Sequence, residues 1–114
     1  KLKNPKPCQD VTITNCVLSS NSSAFRIGVG TGEIHQVRIS NIAIAKAGRM
    51  ISFCTSWEGI GNAQIEEVSF CNISAHNVLS VIKFITEIGS VRNILLENLN
   101  VKTKGGFFIL NLFY

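Results

Sequence analysis

Aspartate is almost absent from this chain of 114 residues: acidic residues number seven, and only one of them, Asp10, is an aspartate. Chemistry that needs a pair of aspartates is therefore excluded from these residues. The four cysteines, Cys8, Cys16, Cys54 and Cys71, show no C-x-x-C spacing and no companion histidine in a zinc pattern, so neither a metal nor a cofactor is expected. They fall in different parts of the sequence, and no disulfide pairing can be assigned. No segment is long enough or periodic enough for a helix. The longest apolar run, over residues 105–114, is too short to cross a bilayer, so no membrane partner is expected. The net charge of +4 is spread out rather than clustered, and most of the seven phenylalanines alternate as core residues. Nucleic acid, which calls for a basic patch with stacking aromatics, is not an expected partner.

What the chain does have is an internal repeat. Val11-Thr12-Ile13-Thr14-Asn15, Val37-Arg38-Ile39-Ser40-Asn41, Val68-Ser69-Phe70-Cys71-Asn72 and Ile94-Leu95-Leu96-Glu97-Asn98 share one pattern, with the asparagines 26, 31 and 26 residues apart. Periods of this size mark solenoids. A second alternating segment follows each asparagine at the same distance: Ala24-Phe25-Arg26-Ile27, Met50-Ile51-Ser52-Phe53, Val81-Ile82-Lys83-Phe84 and Phe107-Phe108-Ile109-Leu110. A shorter one, starting at Val17, Ala43, Ser74 and Asn100, lies between. Alternation of this kind predicts strands. Three short strands per repeat predict an all-β right-handed parallel β-helix of about four coils, with repeats near 8–33, 34–64, 65–90 and 91–114 behind an N-terminal arm over 1–7.

In that register Val11, Ile13 and Cys16 stack beneath Val37, Ile39 and Ile42, then Val68, Phe70 and Ile73, then Ile94, Leu96 and Leu99. Each fully buried side chain contributes about 1.5–3 kcal/mol, while every ordered residue costs about 1–2 kcal/mol of backbone entropy. One coil cannot fold alone, and stacking is what makes the array stable. Asn15, Asn41, Asn72 and Asn98 stand where one strand turns into the next, a corner whose left-handed backbone asparagine tolerates. Their side chains are expected to form a hydrogen-bonded Asn ladder. Asn72-Ile73-Ser74 matches a glycosylation sequon that such a ladder would occupy, and Asn21-Ser22-Ser23 is the accessible sequon.

A bare solenoid end exposes strand edges and core side chains. The apolar finish of the chain, with Phe107, Ile109, Leu112, Phe113 and Tyr114, marks a candidate interface, covered by missing coils or by a second copy in a homo-oligomer. The absence of a first Met and of a signal-like start reads as a processed chain or a fragment.

The stretches CQDVTITNCVL (8–18), AFRIGVGTGE (24–33) and QVRISNIAI (36–44) resemble the pectin-lyase-like right-handed β-helices, and most of all the polygalacturonase family, glycoside hydrolase family 28. The resemblance runs from about residue 8 to 101 and implies a polysaccharide hydrolase, an acidic pectin-like polysaccharide as partner and a secreted or extracellular location. Inverting hydrolysis needs two carboxylates about 6.5–9.5 Å apart, which the family supplies from N-T-D and D-D motifs that this sequence lacks. The family's G-H-G-I-x-I-G segment corresponds to residues 22–28, placing Ser23 where histidine stands, and its R-I-K corresponds to Ser52-Phe53-Cys54. The implied reading is a partial, catalytically incomplete β-helix. The alternative is a structural, interaction or carbohydrate-binding module that assembles through its apolar end.

The cleft-like face keeps candidate binding residues. Arg26, Ser52, Lys83 and Ile109 form one outward row, and its two cations suit an acidic sugar. The second repeat carries five extra residues in the turn that holds Trp57 and Glu58, and solenoid insertions map to loops on a binding face. Trp57 reads either as a sugar platform or as a cover over the coil edge. Glu33 and Glu87 occupy equivalent turns, so a glutamate pair, Glu33 with Glu58, is the remaining hydrolytic arrangement.

Overall fold

A computed structural model describes residues 7–28, 31–104 and 110–113, without the side chains of Thr31 and of 110–113. The described chain is all-β: β1 (Cys8–Ser19), β2 (Ser23–Gly28), β3 (Thr31–Cys54), β4 (Asn62–Ile85), β5 (Ser90–Thr103) and β6 (Leu110–Phe113). Every pairing between these strands is parallel, in the order β1-β3-β4-β5, with β2 on β3 and β6 on β4. Strands of 24 residues such as β3 and β4 are not straight: left-handed residues break each of them into short segments that change direction. This architecture is compatible with a β-helical solenoid.

Inter-strand register follows the repeat. Val11 pairs with Val37, Val37 with Val68 and Val68 with Ile94, and the rows through Ile13 and Cys16 follow the same course to Leu96 and Leu99. The inward side chains of β3 and β4 are the core, with Ile39, Phe53, Phe70 and Ile73 all but inaccessible. Phe53 stacks on Phe84 at 5.2 Å between ring centroids, and Phe25 meets Phe70 edge-on at 5.5 Å. At the outer repeats the same rows are only partly covered, and Leu96, in register with fully buried Phe70, is 38% exposed.

Asn15, Asn41, Asn72 and Asn98 all have positive φ, between 53° and 58°. Asn72 Nδ2 donates to Asn41 Oδ1 at 3.3 Å, and Asn98 Nδ2 donates to Asn72 Oδ1 at 2.6 Å. Asn15 instead accepts from the Thr14 hydroxyl at 3.4 Å. A second left-handed row lies five residues upstream of the first: Asp10, Gln36, Glu67 and Asn93, with φ of 56° to 57°. The V-x-I segment is thus closed by a corner at each end. The turn expected ahead of it is partly strand, since Ile34 and His35 pair with Cys8 and Gln9 on one side and with Ile65 and Glu66 on the other.

The last repeat departs from the expected register. Ile82 pairs with Leu110 and Phe84 with Leu112, two residues later than Phe108 and Leu110. Val101 and Leu110 are nine residues apart in sequence, against seven from Ile44 to Ile51 and from Ala75 to Ile82. The sequence 107–110 is apolar throughout, so alternation alone does not choose between the two registers. Lys83 accordingly stands beside Asn111. Phe107, Ile109 and Tyr114 lie outside the described residues, and Leu112 and Phe113 are described by backbone alone.

A left-handed backbone costs an ordinary L-residue about 1–2 kcal/mol and asparagine less. Glu67 is exposed at such a corner, with φ of 57°. Glu67→Asn should raise the melting temperature by a few degrees, and an unchanged or lower value in thermal unfolding would speak against the corner.

Candidate functional site

Adjacent repeats carry the outward residues Arg26, Ser52 and Lys83 into one rung, paired in register across β2, β3 and β4. Around that rung is a depression of about 210 Å³, also lined by Arg49, Cys54, Trp57 and Ile85. Ser52 is buried, not exposed as its place in an outward row implied, because it lies between two long basic side chains. Arg26 is exposed and Lys83 partly covered.

Arg49 lines the depression against the expectation from alternation. Counted back by twos from inward Ile51, it should point into the core, yet it lines the depression. Met50 and Ile51 are consecutive and both fully buried, so a corner lies between the alternating segment and Arg49. Val81 and Ile82 repeat the pattern in the next strand, both buried. Two apolar residues in succession were the available signal. Ser23, paired with Arg49, has its hydroxyl oxygen buried with no hydrogen-bond partner, so it offers nothing to the depression.

One wall is built by the five-residue insertion. Trp57 and Ile60 exchange both backbone hydrogen bonds, at 2.8 and 2.9 Å, across a two-residue turn in which Glu58 has φ of 50° and Gly59 of 76°. Positive φ at both positions is the tight-turn geometry that matches strand twist. Beneath this hairpin, fully buried Thr55 donates its backbone N–H to Ile85 O at 2.9 Å and its hydroxyl to Ile88 O at 2.5 Å. Ser56 Oγ accepts the N–H of Ile88 at 3.1 Å. Trp57 remains 52% exposed above these anchors.

A second depression, of about 310 Å³, shares Trp57, Lys83 and Ile85 with the first and adds Glu58 and Glu87. Glu33 is elsewhere, in a third depression of about 190 Å³ with His35, Gln64, Glu66 and Arg92. There Arg92 pairs with Glu66 at 2.6 Å, and Ser90 Oγ donates to Gln64 Oε1 at 2.6 Å. The glutamate pair Glu33 and Glu58 is therefore not brought into one depression. Neither is a thiol and imidazole: Cys54 lines the first depression, His35 the third, and His76 is exposed beside the left-handed corner at Asn77. All four cysteines are free thiols, and Cys54 Sγ donates to the Ser56 carbonyl at 3.2 Å.

Among the described residues no three His, Cys, Asp or Glu side chains cluster as a metal site, and no helix is long and apolar enough to cross a membrane. Three cations, an indole and a hydroxyl converge on the first depression, whereas carboxylates line the other two. Such a surface can hold an anion by charge-assisted hydrogen bonds and a ring by stacking. No family model matches this chain, and neither curated proteins nor solved structures give a match.

The Thr55 hydroxyl and Ser56 Oγ are buried links between the hairpin and the following turn. Thr55→Val removes the hydroxyl donor from the Ile88 carbonyl and should cost about 1–3 kcal/mol in denaturant unfolding; a neutral substitution would show that the hairpin is held otherwise.

Proposed function

We propose that this chain is a run of about four coils of a right-handed parallel β-helix with an Asn ladder, of the kind found in polygalacturonase-like hydrolases, and that it binds an acidic polysaccharide without cleaving it. The fold part of this reading is supported by the parallel pairing at a constant repeat register and by the asparagine contacts from Asn41 to Asn98. The functional part rests on one observation above all: Arg26, Arg49 and Lys83 converge with Trp57 on a single depression of the outward strand face.

Uronic-acid chains present a carboxylate on each ring, together with apolar C–H faces. A guanidinium offers a planar fork that matches a carboxylate, and a lysine ammonium adds a compact charge. An indole presents the flat face on which a sugar ring lies. Shallow depressions of this size take one or two sugar units of a chain that extends beyond them, and the parallel strands beneath keep the cations at fixed spacing. Glycosidic cleavage is a different matter, since it needs two carboxylates flanking the bond. The first depression has none on its walls.

Binding of galacturonate oligomers, followed by calorimetry, should weaken about tenfold, or roughly 1.4 kcal/mol, in Trp57→Ala and in Arg26→Ala, with little change in melting temperature. It should also weaken with added salt, while neutral oligosaccharides of equal length bind poorly. Equal binding of the neutral and acidic oligomers would overturn the reading. So would release of reducing ends from polygalacturonate that is lost in Glu58→Gln.

A further inference from the structure

The first and second depressions meet at Trp57, Lys83 and Ile85, yet their walls differ in charge. Among the described residues, Arg26, Arg49 and Lys83 line the first with no carboxylate beside them, whereas the second sets Glu58 and Glu87 against the one cation the two have in common. Given uronate binding in the first depression, on which this rests, we propose that the second is a subsite for an uncharged sugar ring. The ligand is then a mixed polysaccharide, in which a uronate stands next to a residue without charge.

Both carboxylates stand on turns that are tied to each other. Glu58 is in the hairpin of the insertion, and Glu87 precedes Ile88, whose N–H donates to Ser56 Oγ at 3.1 Å and whose carbonyl accepts from the Thr55 hydroxyl at 2.5 Å. Their backbones are thereby fixed against one another. Glu58 also holds a left-handed position, with φ of 50°, in a tight turn where asparagine or aspartate is the usual residue. A glutamate there keeps a carboxylate on the wall at some backbone strain.

The charge of these walls decides what they accept. Ionised carboxylates only accept hydrogen bonds, and the hydroxyls of an uncharged ring are the donors that supply them. The indole of Trp57 and the side chain of Ile85 give the C–H face of that ring an apolar surface. A second uronate instead brings a carboxylate with nothing to donate, and both glutamates repel it. An amine-bearing ring would suit the glutamates but set its own charge beside Lys83. Because Glu58 and Glu87 are exposed, water and salt screen the repulsion, so the discrimination is moderate.

The test is calorimetry with digalacturonate, its two monomethyl esters and its dimethyl ester. The unsubstituted chain should bind one of the monoesters about fivefold tighter than the unesterified disaccharide, and the dimethyl ester most weakly. In the double variant Glu58→Gln, Glu87→Gln, whose side chains still accept hydrogen bonds, the unesterified disaccharide should reach the affinity of that monoester. If it already binds the unsubstituted chain as tightly as both monoesters, with the dimethyl ester weaker, the uncharged subsite is overturned while the uronate site stands. A preference for the monoester that persists in the double variant overturns the subsite as well, since the glutamates are then not its cause. So does tighter binding of a disaccharide with a hexosamine in place of the esterified ring. A dimethyl ester that binds as well as the unesterified disaccharide removes the uronate site itself.

Discussion

Each V-x-I segment spans four residues between two left-handed corners, too short to satisfy its own backbone groups. Its N–H and C=O groups are met only by the same segment in the repeats above and below. That requirement governs the rest of the molecule. It fixes which side chains face inward, because a slip of one residue would turn Ile39, Phe70 and their row to solvent. It also explains the residues at the corners: where Asn15, Asn41, Asn72 and Asn98 turn the chain, their side chains are in place for contacts from one repeat to the next.

The depression depends on this stacking at one remove. Arg26 and Lys83 come from strands 57 residues apart in sequence and meet only because β2 and β4 both pair with β3. Trp57 is added from the insertion, which the register tolerates because it is confined to a hairpin between Cys54 and Asn62. The backbone supplies fixed spacing and the outward residues supply the chemistry. Substitutions on a surface built in this way can change its chemistry without disturbing the core.

Much of this was legible in the sequence, for reasons that are physical. Alternation in V-x-I, with asparagine after it, specified both the inward rows and one corner, and a difference of five residues located the hairpin. Arg26, Ser52, Lys83 and Trp57 were expected on a binding face, and one depression brings them together. The second row of corners was missed because Gln36 and Glu67 are not residues that favour a left-handed backbone; the fold places them there. Arg49 was hidden by a corner at Met50 and Ile51, where alternation fails. The final strand was placed two residues early because Phe107-Phe108-Ile109-Leu110 is apolar throughout, and several registers bury such a run equally well.

The central claim is that two left-handed corners close each V-x-I segment and hold one register through repeats of unequal length. Solution NMR tests it directly. Backbone couplings and chemical shifts should report positive φ at Gln36, Asn41, Glu67 and Asn72, with inter-strand contacts linking Ile39 to Phe70 and Phe70 to Leu96. Extended φ at Gln36 and Glu67, or contacts from Ile39 to Ser69 or Cys71 in place of Phe70, would contradict it.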